Sequence, residues 1–211
     1  MIGYYNYTVL LTYGGLTSAL IGLFLTIQGH PAGGIICLLI SGLCDMFDGK
    51  VARTRKRTED EKSFGIQIDS LCDLICFGVL PAVICFEIGM REWYYQAILV
   101  LFVLCGLIRL AFYNVSEINR EKETTGARKS YLGLPITFSA IFLPMIFVFQ
   151  LVVLQRFLPW LTAIVIGAVG AAYITPFSIS KPGKFKIGVL IGAGVLMIAL
   201  IIWSVFFRNA G

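Results

Sequence analysis

From Thr8 to Gln28 the chain runs twenty-one residues without a charged side chain. A bilayer core about 30 Å thick needs about 20 apolar residues of helix to cross it. In lipid, backbone polar groups must pair within the segment, which leaves helices as the simplest spanning element. The stretch therefore reads as a spanning helix, and the pattern recurs at Ala32–Ala52, Phe64–Gly89, Trp93–Val115, Leu134–Leu154, Phe157–Ile179 and Ile187–Phe207. Gln155 and Arg156 divide the fifth from the sixth segment, and Pro159 is tolerated in the first turn of a new helix. The expected fold class is all-α: a polytopic membrane bundle of about seven transmembrane helices, six to eight, in one membrane domain over residues 1–211.

Composition excludes the other classes. Of 211 residues, 58% are hydrophobic and 14% charged, whereas soluble domains are about 45–50% apolar and about 25% charged. A disordered chain would be polar and highly charged. The six Cys all lie in apolar runs, unlike those of a secreted disulfide scaffold. No basic region precedes the first apolar stretch, so it reads as a retained helix. The three Tyr of Met1–Tyr7 suit the membrane interface.

The basic residues predict an orientation. Twelve of seventeen fall in three alternate loops: Arg53, Arg55, Lys56, Arg57 and Lys62; Arg120, Lys122, Arg128 and Lys129; Lys181, Lys184 and Lys186. The opposite side carries only Arg91, Arg156 and Arg208. This asymmetry places the basic loops and the N-terminus in the cytosol. The net charge of +5 is then an affinity for anionic lipid, with no case for nucleic acid. A chain of this length suggests the cell membrane of a prokaryote.

The informative residues are carboxylates within apolar segments. Four of the five Asp are Asp45, Asp48, Asp69 and Asp73. Each ionised group at membrane depth costs about 2.5–3.5 kcal/mol even on the lenient insertion scale, so the four must face a cavity, a cation or both. Asp45 and Asp48 share a helix face at i,i+3, and Asp69 and Asp73 share one at i,i+4. A short loop makes the two helices antiparallel neighbours, so all four carboxylates converge near the cytosolic end. Oxygen donors in that number suit Mg²⁺, Mn²⁺ or Ca²⁺, and not Zn²⁺, which would call for His or Cys. Two such ions about 3.5–4 Å apart are a common device for displacement at phosphorus. Gly49 and Gly65 let a ligand approach the backbone, Ala52 keeps the face open, and Arg53 supplies a guanidinium for phosphate oxygens.

The pattern Asp45-x-x-Asp48-Gly49-x-x-Ala52-Arg53, then Gly65-x-x-x-Asp69-x-x-x-Asp73, resembles the signature of the CDP-alcohol phosphotransferases, and every fixed position is present. The motif lies within residues 32–89. The spacer, Thr54 to Phe64, is a few residues longer than the commonest form. The resemblance implies attack of an alcohol on the β-phosphorus of a CDP-linked lipid, with release of CMP and two divalent cations (Mg²⁺ or Mn²⁺) as cofactors. It implies that Asp45, Asp48, Asp69 and Asp73 hold the metals and that Asp73 is also the general base. Asp48, Gly49, Ala52, Arg53 and Gly65 would line the nucleotide and diphosphate site. The resemblance also implies a homodimer.

Arg109-Leu110-Ala111-Phe112-Tyr113-Asn114 and Tyr131-Leu132-Gly133-Leu134-Pro135-Ile136 look like segments of bacterial and archaeal phosphatidylserine synthases, with departures at Phe112 and Thr137. That implies CDP-diacylglycerol and L-serine as substrates. Arg109 lies at membrane depth and needs an anionic partner. Asn114, Arg128 and Lys129 could join it around the acceptor's carboxylate. The alternatives are an Arg109–Glu117 or Arg109–Asp pair, and lipid headgroups for Arg128 and Lys129. Glycerol 3-phosphate or inositol phosphate are alternative acceptors. A divalent-cation transporter would also use intramembrane carboxylates, but Arg53 would repel its ion. Cys72 and Cys76, lacking His partners, read as small packing residues.

Overall fold

The computed structural model describes residues 3–4, 6–52, 54–123, 130–149 and 157–180, with the single positions 192, 194 and 199. A 3₁₀ turn at Tyr7–Val9 leads into α1 (Leu10–Ile27), and α2 is Pro31–Ala52. Next, α3 (Glu59–Asp73) continues through a π-helical turn (Leu74–Val79) into α4 (Leu80–Glu87). Then follow α5 (Trp93–Glu123), β1 (Ser130–Leu132), a 3₁₀ turn (Ile136–Phe138), α6 (Ser139–Phe149), α7 (Leu158–Ile174) and β2 (Ser178–Ser180). Among the described residues, three helical stretches, Tyr7–Ile27, Glu59–Glu87 and Trp93–Ile118, are long and apolar enough to cross a membrane, and Ile136–Phe149 and Leu158–Ile174 are shorter apolar helices. The expected seventh span lies outside the described residues except for positions 192, 194 and 199, which are helical.

Among the described residues the fold is helical but for one short antiparallel ladder, which pairs Ser130 with Ser180, Tyr131 with Ile179 and Leu132 with Ser178. The sixth segment was expected to reach Ile179, yet α7 ends at Ile174. Pro176 explains this: the residue before a proline is pushed out of helical geometry, and Thr175 is extended at φ −80°, ψ 127°. The chain is then free to pair with β1. Conversely, α5 runs past Val115 to Glu123, where its residues turn polar.

Helices α1 and α2 pack along one another through small residues. Ser18 Oγ donates to the Cys37 carbonyl (3.0 Å) and Ser41 Oγ to the Gly15 carbonyl (2.8 Å). A Cβ at Gly22 would lie 2.7 Å from the Cβ of Cys37, so only glycine allows this approach. The core lies between these helices, α4, α5, α6 and α7, and includes Ile35, Leu38, Phe77, Leu80, Ile84, Phe102, Leu143, Ile166 and Tyr173. The outward faces are apolar as well. On α5, Val100, Leu101, Leu104, Ile108, Phe112 and Val115 are all exposed. Such an unbroken apolar surface suits lipid better than water.

One end of the bundle is marked by aromatic rings. Trp93, Tyr94, Tyr95 and Trp160 contact one another in sequence, and Trp93 and Trp160 are 77% and 62% exposed. Rings of this kind settle at a headgroup boundary. The other end carries the N-terminal turn, the α2–α3 loop, the end of α5 and the β ladder.

Candidate functional site

Helix α2 carries Asp45 and Asp48 in its last two turns, and α3 carries Asp69 and Asp73 in its last two. Thr58 caps α3: the Glu61 N–H donates to Thr58 Oγ1 (3.2 Å) and the Thr58 N–H donates to the Glu61 carboxylate (3.0 Å). This reciprocal box fixes where α3 begins. The start of α3 then sets the rotation at which Asp69 and Asp73 face α2.

One carboxylate oxygen from each of Asp45, Asp48 and Asp69 falls within a 4.8 Å cluster. Asp73 lines the same cleft, together with Thr12, Gly15, Ser41, Cys44, Cys72 and Phe77. Among the described residues no Lys or Arg lines it. Carboxylates gathered this closely without a basic neighbour repel one another unless protons or a cation offset the charge. The donors are all oxygen, which fits a hard divalent ion. Cys72 and Cys76 are thiols at the cleft wall, and Cys72 is buried.

The remaining expected residues divide into three groups. Gly49 is exposed with no heavy atom within 4 Å of its Cβ position, and Ala52 is half-buried at the end of α2. The Cβ position of Gly65 lies 3.1 Å from Arg57 Nη1. On α5, Asn114 is buried and accepts a hydrogen bond from Ser70 Oγ (2.8 Å). Ser70 sits between Asp69 and Asp73, so this bond ties the carboxylate helix to α5. Arg109 is also buried; its Nε donates to the Leu134 carbonyl (3.0 Å) and its guanidinium lies over the Tyr113 ring at 5.6 Å. The Leu134 turn is held in turn by α7 and its exit: the Gly133 N–H donates to the Phe177 carbonyl (2.7 Å) and the Leu134 N–H to the Ala172 carbonyl (3.2 Å). Gly133 adopts φ +73°, a left-handed conformation that glycine accepts without strain. Arg53, Arg128 and Lys129 lie outside the described residues.

Sequence reasoning passed over Thr12 and Ser70. Thr12 brings α1 into the cleft as a third wall. Ser70 carried a usable signal, being a polar residue set between the paired Asp in the mostly apolar stretch that begins at Phe64. Thr12 carried none that distinguishes it from the other hydroxyls of α1.

Over 133 residues (61% of its length), this chain is 40% identical to a CDP-diacylglycerol–serine O-phosphatidyltransferase of Saccharomyces cerevisiae, covering 47% of that protein. It is 37% identical over 134 residues to an archaetidylserine synthase of Methanothermobacter thermautotrophicus, covering 53% of it. It is 37% identical over 115 residues to a CDP-diacylglycerol–serine O-phosphatidyltransferase of Helicobacter pylori, covering 42% of it. The chain thus spans about half the length of these curated relatives, which come from a yeast, an archaeon and a bacterium. The family model for CDP-alcohol phosphatidyltransferases matches residues 5–209, almost the whole chain, so the chain belongs to the CDP-alcohol phosphatidyltransferase family.

Proposed function

We propose that this chain transfers a phosphatidyl group from CDP-diacylglycerol to the hydroxyl of L-serine, giving phosphatidylserine and CMP. The observation that carries the reading is the carboxylate cleft between α2 and α3, with three carboxylates inside 4.8 Å and a fourth beside them. The names of the relatives support serine: two are serine phosphatidyltransferases and the third is an archaetidylserine synthase.

Asp45, Asp48, Asp69 and Asp73 would hold two divalent cations, Mg²⁺ or Mn²⁺. Bound there, such ions offset negative charge on the diphosphate and its leaving group. Gly49, Ala52, Arg53 and Gly65 bound the nucleotide side. The serine hydroxyl oxygen attacks the β-phosphorus, and its proton passes to the Asp73 carboxylate. The bond from the β-phosphorus to the bridging oxygen breaks, and that oxygen leaves with CMP. Asn114, bonded to Ser70 of the carboxylate helix, would receive the serine carboxylate together with Arg109, Arg128 and Lys129. The enzyme sits in the cell membrane with this cleft on the cytosolic side.

The test is an assay of purified protein with CDP-diacylglycerol, Mg²⁺ or Mn²⁺, and one alcohol at a time. CMP release is followed and the lipid product weighed. Release with serine alone, stopped by EDTA and restored by metal, is the expected result. Release with glycerol 3-phosphate or an inositol phosphate would replace the acceptor and keep the carboxylate roles. No release from folded, metal-binding protein would favour cation transport.

A further inference from the structure

We propose that Arg57, which lies in the long spacer between the two halves of the aspartate pattern, is a substrate-binding residue that closes over the nucleoside half of the CDP-linked donor. The inference rests on the phosphatidyltransferase reading above.

The loop that carries Arg57 is anchored on both sides. Tyr7 Oη and Thr54 Oγ1 share a hydrogen bond (2.9 Å), and Asn6 Nδ2 donates to Glu61 (3.4 Å). Arg55 pairs with the same Glu61 at 3.3 Å. The Tyr4 ring meets the Phe64 ring edge-on at 5.6 Å. With Thr54 fixed before it and the Thr58 cap after it, the Arg57 backbone has a defined place.

The side chain turns away from the partners nearest in sequence. Glu59, Asp60 and Glu61 all lie within four residues, yet Glu59 pairs with Lys62 (2.6 Å) and Glu61 with Arg55. Among the described residues Arg57 has neither an ion pair nor a hydrogen bond, although it is half-buried. Its guanidinium instead lies against the bare Cα of Gly65, with Nη1 3.1 Å from where a Cβ would be. An arginine that forgoes nearby carboxylates to lie on a glycine presents a planar face and free donors to whatever occupies that spot.

Position then selects the ligand. Gly65 is one helical turn before Asp69 on the same face, about 6 Å nearer the start of α3. The diphosphate belongs at the carboxylates, so the part of the donor reaching back along α3 toward Gly65 is the ribose and its pyrimidine. A guanidinium can stack on such a ring or donate to its carbonyl. The lengthened spacer thereby has a use: it lets the chain return over the open end of the site.

The experiment titrates CDP and, separately, pyrophosphate into the full chain in detergent with excess Mg²⁺, by calorimetry. Arg57→Ala should weaken CDP binding about tenfold to a hundredfold, the range of hydrogen bonds to a charged donor. Pyrophosphate binding should change less than about twofold by the same reasoning. Arg57→Lys should fall between, and Arg55→Ala, whose side chain is spoken for by Glu61, should bind CDP like the wild type. In turnover, Arg57→Ala should raise the KM for CDP-diacylglycerol and leave that for serine unchanged. Should Arg57→Ala fail to fold, Arg57→Gln carries the same comparison. Unchanged CDP binding overturns the proposal. So does equal loss for CDP and pyrophosphate, which would put the guanidinium on the diphosphate, or an equal loss in Arg55→Ala. Wild-type protein that binds no CDP would overturn the phosphatidyltransferase reading itself.

Discussion

Asp73 and Asp69 differ in what they can do although they lie one turn apart on the same helix. Asp69 falls inside the tight cluster with Asp45 and Asp48, whereas Asp73 lines the cleft deeper along α3 beside Cys76 and Phe77. A carboxylate outside the tightest donor set keeps an oxygen available for a proton. Asp73→Asn should therefore lower turnover at least about a hundredfold, the usual size of a general base's contribution. Mn²⁺ binding, measured by electron paramagnetic resonance, should persist through the other three Asp, and near-normal turnover would remove the base role. The Ser70–Asn114 bond separates two functions in a similar way. Ser70→Ala deletes the bond but leaves the Asn114 amide; Asn114→Ala deletes both. If the amide receives the acceptor, the serine KM should rise severalfold more in Asn114→Ala than in Ser70→Ala, with the CDP-diacylglycerol KM moving equally in the two. Equal serine KM values would make Asn114 a tether only.

At the scale of elements, the helix holding Asp69 and Asp73 is interrupted directly after Asp73 by the π turn Leu74–Val79, where the Leu80 N–H donates to the Ile75 carbonyl five residues back. Pro81 follows. It lacks an N–H and its ring crowds the carbonyl four residues before it, and a widened turn relieves that crowding while letting the helix continue. One extra residue in the turn also changes the rotation of everything before it relative to α4. Deleting Ile75 should turn the Asp69–Asp73 face by about 100° relative to the packed Leu80–Cys85 face. The expected result is loss of turnover and of Mn²⁺ binding in a chain that still inserts and remains monodisperse; retained metal binding would show that the turn is incidental. This element was not readable beforehand. The aspartates were, because i,i+3 and i,i+4 spacing is local. So were α1, α2, α5 and the joined α3–α4 stretch from Phe64 onward, because apolar length is local too; the charged residues Glu59–Ser63 read as loop, yet they form the capped start of α3. The π turn, the β1–β2 ladder and the Ser70–Asn114 bond depend on contacts between distant segments; Ser70 and Asn114 are 44 residues apart, and hydropathy carries no trace of that pairing. Pro176 was in plain view, and counting apolar residues through it is what placed the end of α7 too late.

For the molecule as a whole, depth in the membrane links the sequence to the chemistry. At a rise of about 1.5 Å per residue, Asp45 lies about 21 Å along α2 from Pro31, and Asp73 lies about the same distance along its helix from Glu87. Asp48 and Asp69 lie about 26–27 Å from those ends by the same rise. Arg109 lies about 24 Å along α5 from Trp93. Five charged groups on three helices thus share one level, near the far side of a core about 30 Å thick measured from the Trp93–Trp160 ring cluster. A charge at that level reaches the interface with little cost, whereas the bilayer centre would not tolerate it. The α2–α3 loop, with Arg55, Lys56 and Arg57, lies at that same end, so the site should open to the cytosol. Cysteine labelling tests this directly, since four of the six native thiols are buried and the other two only half-exposed. Arg91→Cys, at the exposed turn beside the aromatic rings, should react with a membrane-impermeant maleimide in intact cells. Lys56→Cys, exposed in the α2–α3 loop, should react only after the cells are permeabilised. The reverse pattern would put the carboxylates outside, away from any cytosolic supply of a nucleotide-activated lipid. Labelling of both sites in intact cells would mean that the two loops do not lie on opposite faces, and would overturn the helix depths on which the common level of the five charges rests.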